Sequence, residues 1–321
     1  MNPTVRYIAG RVGQAVVVLW AAFTVTFAVL YLLPSDPVSI QLSAAGIEPD
    51  SLSPQALAAA KAKYGLDRPV LEQYWRALTG ALHGDFGVSI AKGTPVSQLI
   101  AERIGGTLTI SAIAGLLTVL LGTALAYLAS FVRIRWLQVV LDRLPALGVA
   151  VPGFLVGLVL IQYFSFDLGW LPSSGSGGWK YLVLPVITMA VPTSAQLAQV
   201  LSRSFRETLR EQYIVTARAK GLSRSAVALR HAFRNAALPA LTILGVLVGV
   251  TVTSSIVVEN VFNRNGIGRL AQDAVLAKDV PVVQAIVVIA ASGFVLVNLI
   301  VDLLYPLLDP RITHIATSEV N

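Results

Sequence analysis

Residues 104–132 read IGGTLTISAIAGLLTVLLGTALAYLASFV, 29 positions without one Asp, Glu, Lys or Arg. A helix needs about 20 apolar residues to cross the hydrocarbon core of a bilayer. Within lipid the backbone must satisfy its own hydrogen bonds, so an apolar run of this length has to be helical. Further charge-free runs of bilayer-spanning length lie at 12–35, 144–166, 181–202, 235–258 and 280–301. The whole chain of 321 residues is 55% hydrophobic and 13% charged, whereas a soluble domain carries about 25% charged residues. Buried helices of a large soluble core do not explain six such runs with so few charges between them. The sequence therefore predicts an all-α integral membrane protein. It reads as a single transmembrane domain over 1–321, with spans at about 12–33, 104–132, 144–166, 181–202, 237–258 and 280–303.

The start of the chain, MNPTVRYIAGRVGQAVVVLW, places basic residues ahead of an apolar run, as a secretory signal does. The run is too long for a signal core, and no small-residue cleavage pattern precedes LLPSDP at 32–37. It is read as an uncleaved first span. Six spans put both termini on one face. The N-terminus, 133–143, 203–234 and the C-terminus carry 14 Lys and Arg, against 10 on the other face. Six of those 10 lie in the long segment 36–103, which translocates largely regardless of charge. Both termini and the segment 203–236 are thus expected in the cytoplasm, and 34–103 outside. The net charge of +7 reflects this asymmetry. It does not indicate nucleic-acid binding, because only Phe233 interleaves the basic residues.

The external segment carries local order. Ser53 is placed to cap a helix with Pro54 at its first position and Gly65 as its stop. In RPVLEQYWRALTGALHG, residues Val70, Leu71, Tyr74, Trp75, Leu78 and Leu82 form one helical stripe, suited either to the membrane surface or to packing on the spans. PVSQLIAERI, at 95–104, reads as a helix leading into the second span. DLGWLPSSGSGGWK, at 167–180, is Gly/Ser-rich and irregular. No internal repeat stands out.

Chemistry of its own is sparse. There is no cysteine, hence no disulfide, thiolate–zinc site or thiol nucleophile. His83, His231 and His314 have no metal-ligand spacing, and no phosphate loop ending in Gly-Lys-Ser/Thr is present. Polar groups within the runs are Gln14, Gln162, Gln196, Gln199, Asn298 and scattered Ser and Thr. The acidic residues nearest to the spans, Asp142 and Asp302, stand at span ends, whereas proton-driven carriers place ionisable groups inside the membrane. If the chain transports a solute, the energy is expected from another subunit.

TARAKGLSRSAVALRHAFRNAALP, Thr216–Pro239, is a compact basic block between two spans. SFRETLREQYIVTARAKG reads as helix, Gly221 as its C-terminal stop, and Ser223 as the cap of a second helix, RSAVALRHAFRNAA. Pro239 opens the next span. Ala217, Ala219, Ala226, Val227, Leu229 and Phe233 make a small apolar face, and the other face is basic. A loop that merely sets topology needs charge but not 30 structured residues with a glycine hinge. A docking element for a cytoplasmic partner needs both.

At these residues the chain resembles the permeases of ABC importers. EQYIVTARAKGLSRSAVALRHAFRNAALP is similar to the cytoplasmic coupling loop of the dipeptide/oligopeptide/nickel subfamily, B-type dipeptide permeases among them. VRYIAGRVGQAVVVLW, LLPSDP, YGLDRPVLEQYWRAL, HGDFGVSI, PVSQLIAERIGGTLTIS, VVENVFNRNGIGRLAQDAVLAKDVPVVQA and VDLLYPLLDPRI resemble other parts of that subfamily in the same order. Departures from the general importer motif are Val215 and Thr216, where Glu and Ala are usual, and Pro239, which lies 18 residues after Gly221. Gly105 and Asn265 stand where Pro is common.

The resemblance implies a type I importer permease fold in the bacterial cytoplasmic (inner) membrane. It implies an ATPase-coupling element made of Glu211, Thr216, Ala217, Arg218, Ala219, Lys220, Gly221 and Leu222. The implied partners are a second homologous permease forming a heterodimer, two cytoplasmic ATPase subunits, an extracytoplasmic substrate-binding protein and the lipid bilayer. No catalytic residue, cofactor or metal is expected on this chain; ATP and Mg belong to the ATPases. Short peptides are the favoured solute, with nickel or glutathione as alternatives. A self-sufficient secondary carrier or channel is the reading from another class.

Overall fold

A computed structural model describes residues 3–32, 53–63, 67–132, 134–223, 226–227 and 232–308. Helices account for nearly all of its regular structure: α1 Pro3–Leu32, α2 Pro54–Lys63, α3 Val70–Leu82, α4 Val96–Phe131, α5 Arg135–Ala150 and α6 Gly153–Leu160, which continues as wider turns over Ile161–Asp167. Then follow α7 Lys180–Thr208, α8 Gln212–Ala219, α9 Phe233–Val261, α10 Ile267–Leu276 and α11 Val280–Leu308. Among the described residues β pairing is limited to one isolated bridge, Val88 with Pro95.

Five of these helices, α1, α4, α7, α9 and α11, are long and apolar enough to cross a membrane. The sixth expected span takes a different form. The run 144–166 is divided between α5 and α6, which are bent by 98° with respect to one another. Pro152 is the cause. It has no N–H to donate and clashes with a helical residue before it, so Val151 is pushed to extended backbone, φ −87° and ψ 123°. Among the described residues there are thus five candidate spans, or six if the bent pair makes one. Elsewhere the expectations at helix ends hold in part. Ser53 Oγ accepts from the Ala56 N–H at the start of α2, whereas Gly65 lies outside the described residues. PVSQLIAERI is continuous with α4. Pro239 opens the apolar span Pro239–Val261, as expected, although α9 itself begins earlier, at Phe233.

The helices form two compact units, each with its own core. One comprises 1–11, 108–264 and 296–321. There α7 is the central helix, with α5, α6 and α9 packed on it. Small residues let the helices approach. A Cβ on Gly148 would lie 2.7 Å from that of Ala195, and one on Gly122 would lie 2.9 Å from Leu197. Buried hydroxyls at these contacts find partners: Thr118 Oγ1 and Thr193 Oγ1 are 2.7 Å apart, and Thr193 Oγ1 also donates to the Met189 carbonyl. An apolar cluster around Leu184, Met189, Val258 and Phe262 fills one region of this unit.

Beside it, Arg264 is buried. Its guanidinium donates to the Tyr181 carbonyl at 2.7 Å and reaches that of Gly175 at 3.4 Å. The Gly175 N–H donates to the Phe262 carbonyl. These bonds tether the Gly/Ser-rich loop to the end of α9. Burial lowers the Arg264 pKa from its ordinary value, and the nearby Glu259 charge opposes that shift. Arginine nevertheless stays protonated in proteins.

The other unit comprises 12–107 and 265–295. Its core is Val96, Leu99 and Ile100 of α4 against Leu270 and Ala274 of α10 and Val282, Ala285 and Ile286 of α11. Asp279, which is buried, organises the entry to α11. Its carboxylate accepts from Ser89 Oγ and from the Ile90 and Ala91 N–H groups, while its own carbonyl accepts the first α11 bond, from Val283. Thr107 Oγ1 of α4 accepts from the Ile267 N–H and thereby caps α10 from a neighbouring helix.

Candidate functional site

The basic block between α7 and α9 is built outward from Phe205. This side chain is 1% exposed and packs edge-on against Phe131, at 5.9 Å between ring centres, and against Phe233 at 6.2 Å. Leu201, Ile214, Ala217, Val227, Ala232, Ala236 and Ala240 belong to the same cluster. Helix α7 is braced near its end by Arg206, whose guanidinium donates to Asp142 at 2.8 Å. Asp142 is therefore paired in the structure, as a residue at a span end.

The sequence predicts one continuous helix from Ser204 to the stop at Gly221. The chain breaks it. Helix α7 stops at Thr208, and Leu209, Arg210 and Glu211 turn on bonds back to Phe205, Glu207 and Thr208. Glu211 is extended, φ −65° and ψ 145°, and precedes the separate eight-residue helix α8. The physical reason lies in the burial pattern. The turn brings Ile214 and Ala217, three positions apart on one face, down onto Phe205. Ile214 is 0% exposed and acts as the anchor. A second tie joins α8 to the start of α9: Asn235 Nδ2 donates to Tyr213 Oη at 2.7 Å.

Helix α8 ends as a glycine stop. Gly221 has φ +81°, in the left-handed region that favours glycine. Its N–H donates to Arg218, and that of Lys220 to Thr216. A Cβ at Gly221 would meet nothing within 4 Å. The glycine is needed for its backbone conformation and not for space. Past it, Ser223 Oγ accepts from the Ala226 N–H and the Ser223 carbonyl from that of Val227, which is the expected cap of the second helix. Leu229 and His231 lie outside the described residues.

The eight expected coupling residues thus come together in one short element. Glu211 begins it; Thr216, Arg218, Ala219, Lys220, Gly221 and Leu222 are exposed along it. Ala217 differs from the rest. It faces inward on the Phe205 cluster and positions the helix, while Ala219 stays outside, so the two alanines do not share a face. Val215 and Tyr213 are also exposed on this element, and sequence reasoning did not select them. The available signal was the inward pair Ile214 and Ala217, which leaves Tyr213, Val215 and Thr216 outside. The result is a short helix with a cationic C-terminal end, held on the Phe205 cluster by its inner face and exposed on its outer face.

Comparisons with known proteins show the family of the chain. The family described as "Binding-protein-dependent transport system inner membrane component" matches residues 118–314, and its companion, "Binding-prot-dependent transport system membrane comp, N-term", matches 4–111. The glutathione transport system permease protein GsiC of Salmonella typhimurium is 38% identical over 308 residues, covering 96% of this chain and 99% of that protein. GsiC of Escherichia coli K12 is 36% identical over the same length and coverage. Among solved structures, the MetNI methionine ABC transporter in an inward-facing conformation is similar in fold, with a TM-score of 0.50 at 15% identity, over 68% of this chain and 95% of that one. The chain therefore belongs to the binding-protein-dependent transport system inner membrane component family, as a multi-pass permease subunit of an ABC importer.

Proposed function

We propose that this permease subunit imports short peptides, with tripeptide-sized solutes such as glutathione within its range, and that α8 with Gly221 is its coupling element. The observation that carries the coupling assignment is the burial split of α8. Ile214 and Ala217 are fixed on the Phe205 cluster while Thr216, Arg218, Ala219, Lys220 and Leu222 are presented outward. Such an element transmits force, because pushing on it moves the ends of α7 and α9 that its anchors touch. The solute class rests on the names of relatives that match nearly the full chain.

In this reading the chain lies in the bacterial inner membrane with both termini in the cytoplasm, and supplies one half of the pathway. A second, homologous permease supplies the other half as a heterodimer. Two cytoplasmic ATPases bind ATP and Mg and hydrolyse ATP; this chain has no catalytic residue, cofactor or metal of its own. An extracytoplasmic binding protein delivers solute when the outward-open state forms. ATP-driven closure of the two ATPases moves α8 and its equivalent in the second permease, and the spans rock between inward-open and outward-open.

The test is purification of the tagged chain from its native membrane in mild detergent, with partners identified by mass. The expected result is two ATPase subunits and a second permease. The purified complex in proteoliposomes should then take up glutathione or another tripeptide in an ATP-dependent manner, and not free nickel. ATP-dependent uptake of a nickel complex with no peptide uptake would move the solute assignment to nickel. A stable chain that purifies alone and moves solute without ATP would favour the self-sufficient carrier.

A further inference from the structure

Helix α3, Val70–Leu82, has three sectors. One sector packs on α1. Tyr74 stacks edge-on against Phe23 at 5.8 Å and Phe27 at 5.3 Å between ring centres, and its hydroxyl lies 2.8 Å from Thr24 Oγ1. A second sector is polar and exposed, with Glu72, Arg76, Thr79 and His83. The third is apolar and also exposed: Leu71 at 68%, Trp75 at 55% and Leu82 at 78%. At 3.6 residues per turn these three side chains fall within an arc of about 40°. Three large apolar groups on so narrow an arc, beside a fully polar sector, need an apolar neighbour.

The contact on α1 sets where that neighbour lies. The apolar span of α1 runs from Ile8 to Leu30. Thr24 is six residues before that end and Phe27 three residues before it. Phe23 lies seven residues before it, so at 1.5 Å rise per residue the Tyr74 contacts sit about 5–11 Å inside the end of the apolar span. An amphipathic helix lying in a membrane interface buries its apolar face about 5–10 Å into the headgroup/acyl boundary. The two depths coincide. At that level a tryptophan is favoured, with its apolar ring toward the acyl chains and its indole N–H toward the headgroups. The exposed apolar surface of α1 itself, including Trp20, Val25 and Val29, continues from the same level.

We propose that α3 is a membrane-interface helix. Its Leu71, Trp75 and Leu82 insert among the acyl chains of the leaflet at the C-terminal end of α1, while Glu72, Arg76, Thr79 and His83 face the headgroups and water. Tyr74 locks it to the span, so the segment outside the membrane is moored both to α1 and to lipid. This requires only that α1 crosses the membrane and is independent of the solute and of the coupling assignment.

The chain has no cysteine, so a single introduced cysteine reports on one position. Leu71→Cys, Trp75→Cys, Leu82→Cys, Glu72→Cys and Arg76→Cys are each spin-labelled in the full chain in lipid nanodiscs. Collision with oxygen, which concentrates in lipid, is compared with collision with a water-soluble nickel chelate. The expected oxygen-to-chelate ratio is severalfold higher at 71, 75 and 82 than at 72 and 76, and the same in the isolated chain and in the complex with its co-purified subunits. Chelate access equal around the helix would overturn the proposal in favour of a solvated helix. Loss of both oxygen and chelate access at 71, 75 and 82 on assembly would overturn it in favour of a protein occupant. If Trp75→Cys does not fold, Leu71→Cys and Leu82→Cys carry the same comparison.

Discussion

Replacing Gly221 should weaken coupling in a graded way and leave the spans intact. Its φ of +81° is a conformation that L-residues adopt at a cost of about 1–2 kcal/mol. Nothing lies within 4 Å of an added Cβ, so no clash adds to that cost. A change of 1–2 kcal/mol is a factor of about 5–30 in a population. Gly221→Ala should therefore reduce the equilibrium constant between the docking and frayed conformations of the α8 terminus by about that factor. Gly221→Asn should be mild, because Asn tolerates the left-handed region at a helix end. Gly221→Val should be worse than Ala, since a β-branched residue is a genuine outlier there. Gly221→Asp has the shape of Asn but adds a negative charge at the helix C-terminus, where the dipole is unfavourable to anions, next to Lys220. It should uncouple most strongly of the pair that shares this shape. The assay is solute transported per ATP hydrolysed in proteoliposomes, alongside the melting temperature of the purified complex. The expected order of coupling is Gly, Asn, Ala, Val, with Asp well below Asn and all melting temperatures close together. Equal coupling across the series, or Asn as damaging as Val, would refute the conformational argument; unchanged uptake by a normally expressed Gly221→Asp complex would refute the coupling role.

Other outcomes follow from the packing. Asp279→Ala orphans two buried donors, the Ser89 hydroxyl and the Ile90 N–H, and also loses the more exposed Ala91 N–H bond; at about 1–3 kcal/mol for each buried donor it should lower the melting temperature clearly and expose the 85–95 loop to limited proteolysis, and Asp279→Asn should be milder. Gly148→Ala places a Cβ 2.7 Å from that of Ala195 and should cost about 1–3 kcal/mol by overpacking; the second change Ala195→Gly should restore much of the loss, which a melting comparison of the double variant checks. Asp142→Asn removes the carboxylate charge that faces Arg206, but both side chains are more than a third exposed, and such pairs are worth about 0–1 kcal/mol, so its melting temperature should change little.

The membrane class, the helical content and the location of most spans were legible in the sequence, because a charge-free run of bilayer length admits few structures other than a helix. The glycine stop at Gly221 and the Ser223 cap were legible for a similar reason, each being a local backbone demand met by nearby residues. Three features were not legible: one is a local break that hydropathy averages over, and two depended on tertiary contacts. The run 144–166 looks continuous by hydropathy, yet the bend before Pro152 divides it, and a hydropathy window averages over that single missing N–H. The apparent helix through Ser204–Ala219 breaks at Leu209–Glu211 because Ile214 and Ala217 have to reach Phe205, a residue of the preceding helix. Helix α3 offered the sequence one apolar stripe. The tertiary structure split it, setting Tyr74 against α1 and leaving Leu71, Trp75 and Leu82 outside. Periodicity reports how apolar a face is; which neighbour covers that face is settled only when the chain folds back and distant segments meet.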